Sequence, residues 1–149
     1  MTARPPKPGG PGQVLFHFVR YWSRRWPEGD QHAARGREVL VAEAVHALRD
    51  QGDVTVNDVA AELGIDQSNA SRLIAHAVGR GILSVEPASY DARRRVVRLT
   101  RQGTALLAAA HRWQERVFDT LTADWSEAER AAFHRAMIRL LEASHRLDA

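Results

Sequence analysis

Between Gln67 and Arg101 the chain carries seven arginines: Arg72, Arg80, Arg93, Arg94, Arg95, Arg98 and Arg101. Only two acidic residues, Glu86 and Asp91, stand among them. That is a surplus of five positive charges in a chain whose net charge is +3, so the remainder carries a net −2. Positive charge gathered in one segment of an otherwise balanced chain is the footprint of a polyanionic partner. The guanidinium fork suits that chemistry, because it offers two parallel hydrogen bonds to a phosphate or to O6 and N7 of guanine. Arginine over lysine counts for little by itself: Lys7 is the single lysine among 21 basic residues, and a GC-rich genome produces the same bias.

A second set of candidates surrounds Arg72. Gln67, Ser68, Asn69, Ser71, Arg72 and His76 share one side of a helical repeat. Its other side is Ala70, Leu73, Ile74 and Ala77. Short polar side chains on the first turns of such a helix can approach base edges in the major groove, which is wide enough to admit a helix. A solvated face on a packed helix would look the same in isolation, so the neighbouring elements decide between the two.

Those elements can be read in order. Leu15, Phe18, Val19, Trp22 and Trp26 have helical spacing from about Gln13, with Pro27, Gly29 and Asp30 as the stop. A helix is expected from about Ala33 to Asp50, burying Leu40, Val41, Ala44, Val45 and Leu48. Thr55 and Asp58 form a capping pattern for a short helix with Val56, Val59, Ala60 and Leu63 inside, stopped by Gly64. Asp66 then caps the helix Gln67 to about Arg80, and Gly81 ends it. Ile82 to Val85 and Arg95 to Leu99 are β-like around a turn from Pro87 to Asp91, giving a hairpin with a basic tip. A long helix from Thr100 carries Leu106, Ala109, Trp113, Val117 and Leu121. Ser126 and Glu129 cap a last helix lined by Phe133, Ala136, Met137, Leu140 and Leu141.

The fold expected is mainly α with a small β-hairpin wing: a winged helix-turn-helix at about 35–100 plus a helical dimerisation region at about 13–34 and 101–149. Residues 13–149 read as a single unit, and the Pro- and Gly-rich residues 1–12 as a disordered tail. The helix–turn–helix setting and the basic hairpin favour DNA contact for the polar face. In the wing, Arg93, Arg94 and Arg95 are candidates. Strand alternation puts Arg93 and Arg95 on one side, and Asp91 is expected to hold Arg93 by a charge-assisted bond.

Other chemistries find little support. There is no cysteine, which excludes disulfides, thiolate zinc sites and thiol-based redox sensing. No two of the seven histidines are three or four residues apart, so no helical metal pair exists and no metal or other cofactor is expected. No Gly-rich phosphate loop, cysteine nucleophile or serine elbow is present, and the chain does not read as an enzyme. No apolar run approaches the about 18–20 residues of a membrane span. The N-terminus lacks the apolar core of a signal peptide. A cytoplasmic location is expected. The aromatic stripe Phe16, Phe18, Tyr21, Trp22 and Trp26 fits a core or dimer interface. Tyr21, Trp22 and Trp113 are the candidates for lining an effector cavity, although no effector site is assigned.

The stretch TVNDVAAELGIDQSNASRLIAHAVGRGIL followed by YDARRRVVRLTRQG resembles the MarR family of bacterial regulators. The resemblance rests on Leu63-Gly64-Ile65, Ser71-Arg72-Leu73, Arg80-Gly81-Ile82-Leu83, Asp91-Ala92-Arg93, and Leu99-Thr100 with Gly103, taken together. It implies a triangular homodimer with intertwined terminal helices, a recognition helix at Gln67–Arg80, and a wing that reaches the minor groove. It also implies a small-molecule effector pocket between the dimer helices and the DNA-binding lobe. The wing departs from the family order D-x-R-D-x-R. Ala88 and Tyr90 replace the first acid and the first arginine, and only Asp91 and Arg93 match. Val85 stands where an arginine is common. The expected function is a sequence-specific regulator, a repressor by resemblance, released from a pseudo-palindromic operator on double-stranded DNA by a small-molecule effector. The alternatives are a winged-helix protein-interaction module and a weakly specific architectural DNA-binding protein.

Overall fold

The computed structural model describes residues 9–23 and 30–147, without the side chains of residues 30–34. It divides into two compact units, residues 1–107 and 108–149. In the first unit, α1 spans Pro11–Trp22 and α2 spans Asp30–Leu48, followed by a 3-10 turn at Arg49–Gln51. Then come α3 (Val56–Leu63), α4 (Gln67–Gly79), β1 (Leu83–Pro87) and β2 (Arg95–Leu99). The helix α5 (Arg101–Leu121) runs from the first unit into the second, which is completed by α6 (Glu127–Leu147).

The helix starts follow from local chemistry. Pro11 occupies the first turn of α1, where its fixed φ fits and its missing N–H costs nothing. This places the start two residues ahead of Gln13. Trp26, Pro27 and Gly29, expected at the end of that helix, lie outside the described residues. At α3 the Thr55 hydroxyl accepts the Asp58 N–H at 3.3 Å, and the Asp58 carboxylate accepts the Thr55 N–H at 2.8 Å. The reciprocal pair satisfies two N–H groups that no helical carbonyl can reach. Gly64 closes α3 at φ 63°, a left-handed conformation that a Cβ disfavours.

The core of the first unit lies where α2, α3 and α4 meet the hairpin. Val41, Ala42, Ala44 and Val45 of α2, Val59 and Ala60 of α3, and Ala70, Ile74 and Ala77 of α4 are buried there with Leu83, Val96 and Val97. Leu40, expected inside, is half exposed, because the buried face of α2 runs through Val41 and Val45 and Leu40 falls beside it. The hairpin is antiparallel, with Leu83 opposite Leu99 and Pro87 opposite Arg95. Val96 and Val97 point to opposite faces yet are both buried. The Val97 N–H donates to the Val54 carbonyl at 2.8 Å, so the segment ahead of α3 covers part of β2 and the wing is anchored at its base.

A tight corner joins hairpin and α5. The Thr100 hydroxyl donates to the Gly81 carbonyl at 2.6 Å and accepts the Gly103 N–H at 3.0 Å. Gly103 is buried, and a Cβ there would stand 2.2 Å from the Ile82 carbonyl oxygen. Only glycine permits that approach.

In the second unit, Ser126 and Glu129 repeat the capping box: the Ser126 N–H donates to the Glu129 carboxylate at 2.7 Å and the Glu129 N–H to the Ser126 hydroxyl at 3.2 Å. Phe133 stacks on Phe118 with centroids 6.0 Å apart and meets Trp125 edge-on at 5.4 Å. Arg130 ties the turn by donating to Asp119 at 2.9 Å and to the Thr122 carbonyl at 2.8 Å. No residue of α6 is buried within the chain. No helix among the described residues is long and apolar enough to cross a membrane.

Candidate nucleic-acid interface

Burial of Ala70, Ile74 and Ala77 orients α4 about its own axis. The opposite side follows by periodicity, and Gln67, Ser68, Asn69, Ser71, Arg72 and His76 are all exposed on it. The first turn is further ordered by Asp66. Its carboxylate accepts the Asn69 N–H at 2.8 Å and the Asn69 side-chain amide at 2.5 Å. Arg72 in turn donates to the Asn69 side-chain oxygen Oδ1 at 2.6 Å. Asp66, Asn69 and Arg72 thus form one chain of side-chain hydrogen bonds along the start of the helix. The Asn69 backbone N–H, with the Asn69 amide and the Arg72 charge, holds the Asp66 carboxyl below its ordinary value.

The far half of α4 is fastened differently. Glu38 of α2 is 3% exposed, the one buried acidic side chain among the described residues. Its Oε1 accepts from Arg80 Nε at 3.1 Å and lies 3.4 Å from His76 Nε2. Sequence reasoning missed Glu38. The signal was present, since Glu38 precedes Val41 by three residues and Val45 by seven, on the buried face of its own helix. A buried carboxylate must be paired, and its partners come from α4 and from Arg80, the residue that follows it. His76 therefore faces Glu38 as well as the outer surface.

The hairpin carries the remaining candidates. Arg93 and Arg94 lie in the turn and only Arg95 in β2, so strand alternation does not relate Arg93 to Arg95. All three are exposed. The expected bond from Asp91 to the Arg93 guanidinium is replaced by another: the Asp91 carboxylate accepts the Arg93 backbone N–H at 3.0 Å. An aspartate two residues ahead of a free N–H closes a turn in this way, which leaves the guanidinium unrestrained by Asp91. Arg94 donates to the Tyr90 hydroxyl at 3.1 Å. Arg98 is turned back to Asp53 at 3.1 Å, with Glu86 at 3.8 Å, and so braces the hairpin against the segment ahead of α3. All seven arginines of the basic segment are exposed, but Arg80 and Arg98 are already paired with carboxylates.

Tyr21 and Trp22 meet edge-on within α1 at 5.7 Å, and Trp113 belongs to the second unit. No group of three or more histidine and acidic residues is placed to hold a metal among the described residues.

Capped α3, the Gly64 turn, α4 with an outward polar face and a basic-tipped hairpin form a winged helix-turn-helix. Residues 36–94 match the sequence model of the MarR family. This central segment is thus similar to the MarR family. Solved structures agree on the fold. MarR itself superposes with a TM-score of 0.69 at 19% identity, covering 99% of this chain and 97% of that one. A MarR family protein from Bacillus stearothermophilus gives 0.68 at 15% identity, covering 90% and 92%. Bordetella bronchiseptica BpsR, whose DNA binding is regulated by 6-hydroxynicotinic acid, gives 0.57 at 27% identity, covering 86% and 98%. No curated protein sequence matches the chain. The chain therefore has the winged-helix fold of MarR-like proteins.

Proposed function

We propose that the protein is a sequence-specific DNA-binding repressor that acts as a homodimer on a pseudo-palindromic operator and is released by a small-molecule effector. The observation that carries this reading is the orientation of α4. Its apolar side is buried, its far end is keyed to Glu38, and its polar side, from Gln67 to His76, is free to enter a major groove. Arg72 reads a base edge, with Asn69 and Asp66 setting its direction. Arg93, Arg94 and Arg95 meet the flanking minor groove and backbone, where contacts are electrostatic and largely indifferent to sequence. Two such lobes, related by a twofold axis, require half-sites spaced by about one helical turn, 10–10.5 base pairs.

The dimer is supported by the apolar residues that α6 leaves on its surface, among them Phe133, Met137, Ile138, Leu140 and Leu141. Phe133, Met137, Leu140 and Leu141 recur at helical spacing, and an exposed apolar stripe of this kind fits an interface. Release by a ligand is supported by analogy with BpsR, whose DNA binding responds to a small molecule.

The test is competition in a mobility-shift assay between the DNA upstream of the protein's own gene and random DNA of equal length. Preference for the upstream fragment by a dimeric species supports the proposal. Equal binding to both would indicate an architectural protein, and no binding to either an interaction module.

A further inference from the structure

Every candidate for DNA contact so far comes from α4 or the wing. The structure also places a cation of α2 beside them. Arg37 precedes the buried Glu38, and successive helical residues diverge by about 100°. With Glu38 turned inward against Arg80 and His76, Arg37 is directed out along the edge of α4, where it is exposed. Arg37, Ile65, Asn69, Arg72, Leu73 and His76 line one open groove of about 450 Å³ between α2 and the start of α4.

The chemistry of this groove is that of an anion site. Two guanidinium groups, an imidazole and an amide surround a floor formed by Ile65 and Leu73, and no carboxylate lines it. The nearest acid to Arg37 in sequence, Glu38, is buried and already engaged. Arg72 is partly committed to Asn69. No ion pair among the described residues involves the Arg37 guanidinium. A helix lying in a major groove is flanked by the phosphates of the groove walls, so a cation at the edge of that helix is placed to meet one.

We propose that this groove receives a backbone phosphate of duplex DNA, and that Arg37 is a phosphate-contacting residue outside both the recognition helix and the wing; the proposal rests on the DNA-binding reading above. Arg37 would anchor the edge of α4 that faces away from the wing. Each lobe would then grip the duplex on both sides of the inserted helix, which fixes how deep and at what angle the helix sits.

The experiment measures anisotropy of labelled duplexes selected from genomic fragments by the wild-type chain, together with single-base variants, over a series of salt concentrations. The proteins are wild type, Arg37→Gln and Arg37→Lys. Arg37→Gln is expected to weaken binding by the same factor on every duplex and to lower the slope of log affinity against log salt by about one unit per lobe. Arg37→Lys is expected to keep the slope, since a point charge suffices for a phosphate. Thermal melting of both variants should match wild type, because the side chain is exposed. Unchanged affinity and slope for Arg37→Gln on DNA that wild type binds would overturn the phosphate assignment and leave the DNA-binding reading intact. A loss confined to one base position would overturn it as well, making Arg37 a base reader. Failure of wild type to select any duplex would overturn both.

Discussion

α4 and α6 begin alike and end up in opposite situations. Each starts at a side-chain cap, Asp66 in one and Ser126 with Glu129 in the other, and each carries apolar residues at helical spacing. In α4 that spacing is spent inside the chain, where Ile74 is 3% exposed and Ala70 and Ala77 are fully covered. In α6 it is not, and Phe133 is 41% and Leu141 60% exposed. Caps and periodicity therefore make a helix without saying what its face is for. The face that its own lobe buries frees the polar side for recognition. The face that no described residue buries is the one proposed above to meet a second copy of the chain.

Removing α6 tests this contrast most severely. Deleting everything after Ser126 should give aggregated or unfolded protein, seen as loss of the soluble dimer in sedimentation. A monomeric full-length chain at micromolar concentration would show instead that the exposed stripe is not an interface. Point substitutions sharpen the same contrast. Ile74→Ala should cost about 2–5 kcal/mol in denaturant unfolding, by the same amount at every protein concentration. Leu141→Ala should lower stability by an amount that grows with protein concentration up to a plateau and fades on dilution, because its contribution enters through association. Equal concentration dependence for the two would erase the distinction drawn here.

Gly103→Ala should destabilise by about 1–3 kcal/mol through overpacking, since the added Cβ meets the Ile82 carbonyl and backbone must move. Urea unfolding reads that loss, and an unchanged midpoint would mean that the corner between hairpin and α5 yields easily.

Within the DNA-binding lobe, Arg72→Ala should cost roughly 1–3 kcal/mol of operator affinity and relax preference at one base position per half-site. Arg93→Ala should weaken binding to all sequences and reduce the salt slope by about one unit per lobe. Binding series against the operator and its single-base variants at two salt concentrations separate the two. Uniform loss for Arg72→Ala would remove it from base reading.

The smallest effect concerns the caps. Backbone N–H groups hold the carboxyls of Asp66 and Glu129 below their ordinary values of 3.8 and 4.5. A depressed carboxyl stabilises the fold above its unfolded value, and that contribution is lost as pH falls through the lower folded value. Melting temperature should therefore decline as pH drops below about 4.5. Asp66→Asn and Glu129→Gln should each flatten part of that decline, as monitored by circular dichroism between neutral and acidic pH. An identical acid profile in both variants would assign it to other groups.

What the sequence alone determined is everything written within a few residues. Thr55 with Asp58, Asp66 with Asn69, and Ser126 with Glu129 sit three apart, where the first helical turn itself brings side chain to N–H, and Gly64 ends α3 through its own φ. The buried and outward faces of α4 follow equally from a repeat of 3.6 residues. Tertiary structure decided what distant segments do to one another. Glu38 meets Arg80 across 42 residues, and Asp53 meets Arg98 across 45. Those pairings withdraw two arginines from a surplus that looked uniform in sequence. They depend on how α2 crosses α4 and where the hairpin folds back, which no local spacing encodes. The Asp91 bond shows the same limit at short range: its partner was legible as Arg93, but only the turn's backbone path selects the main-chain N–H over the guanidinium.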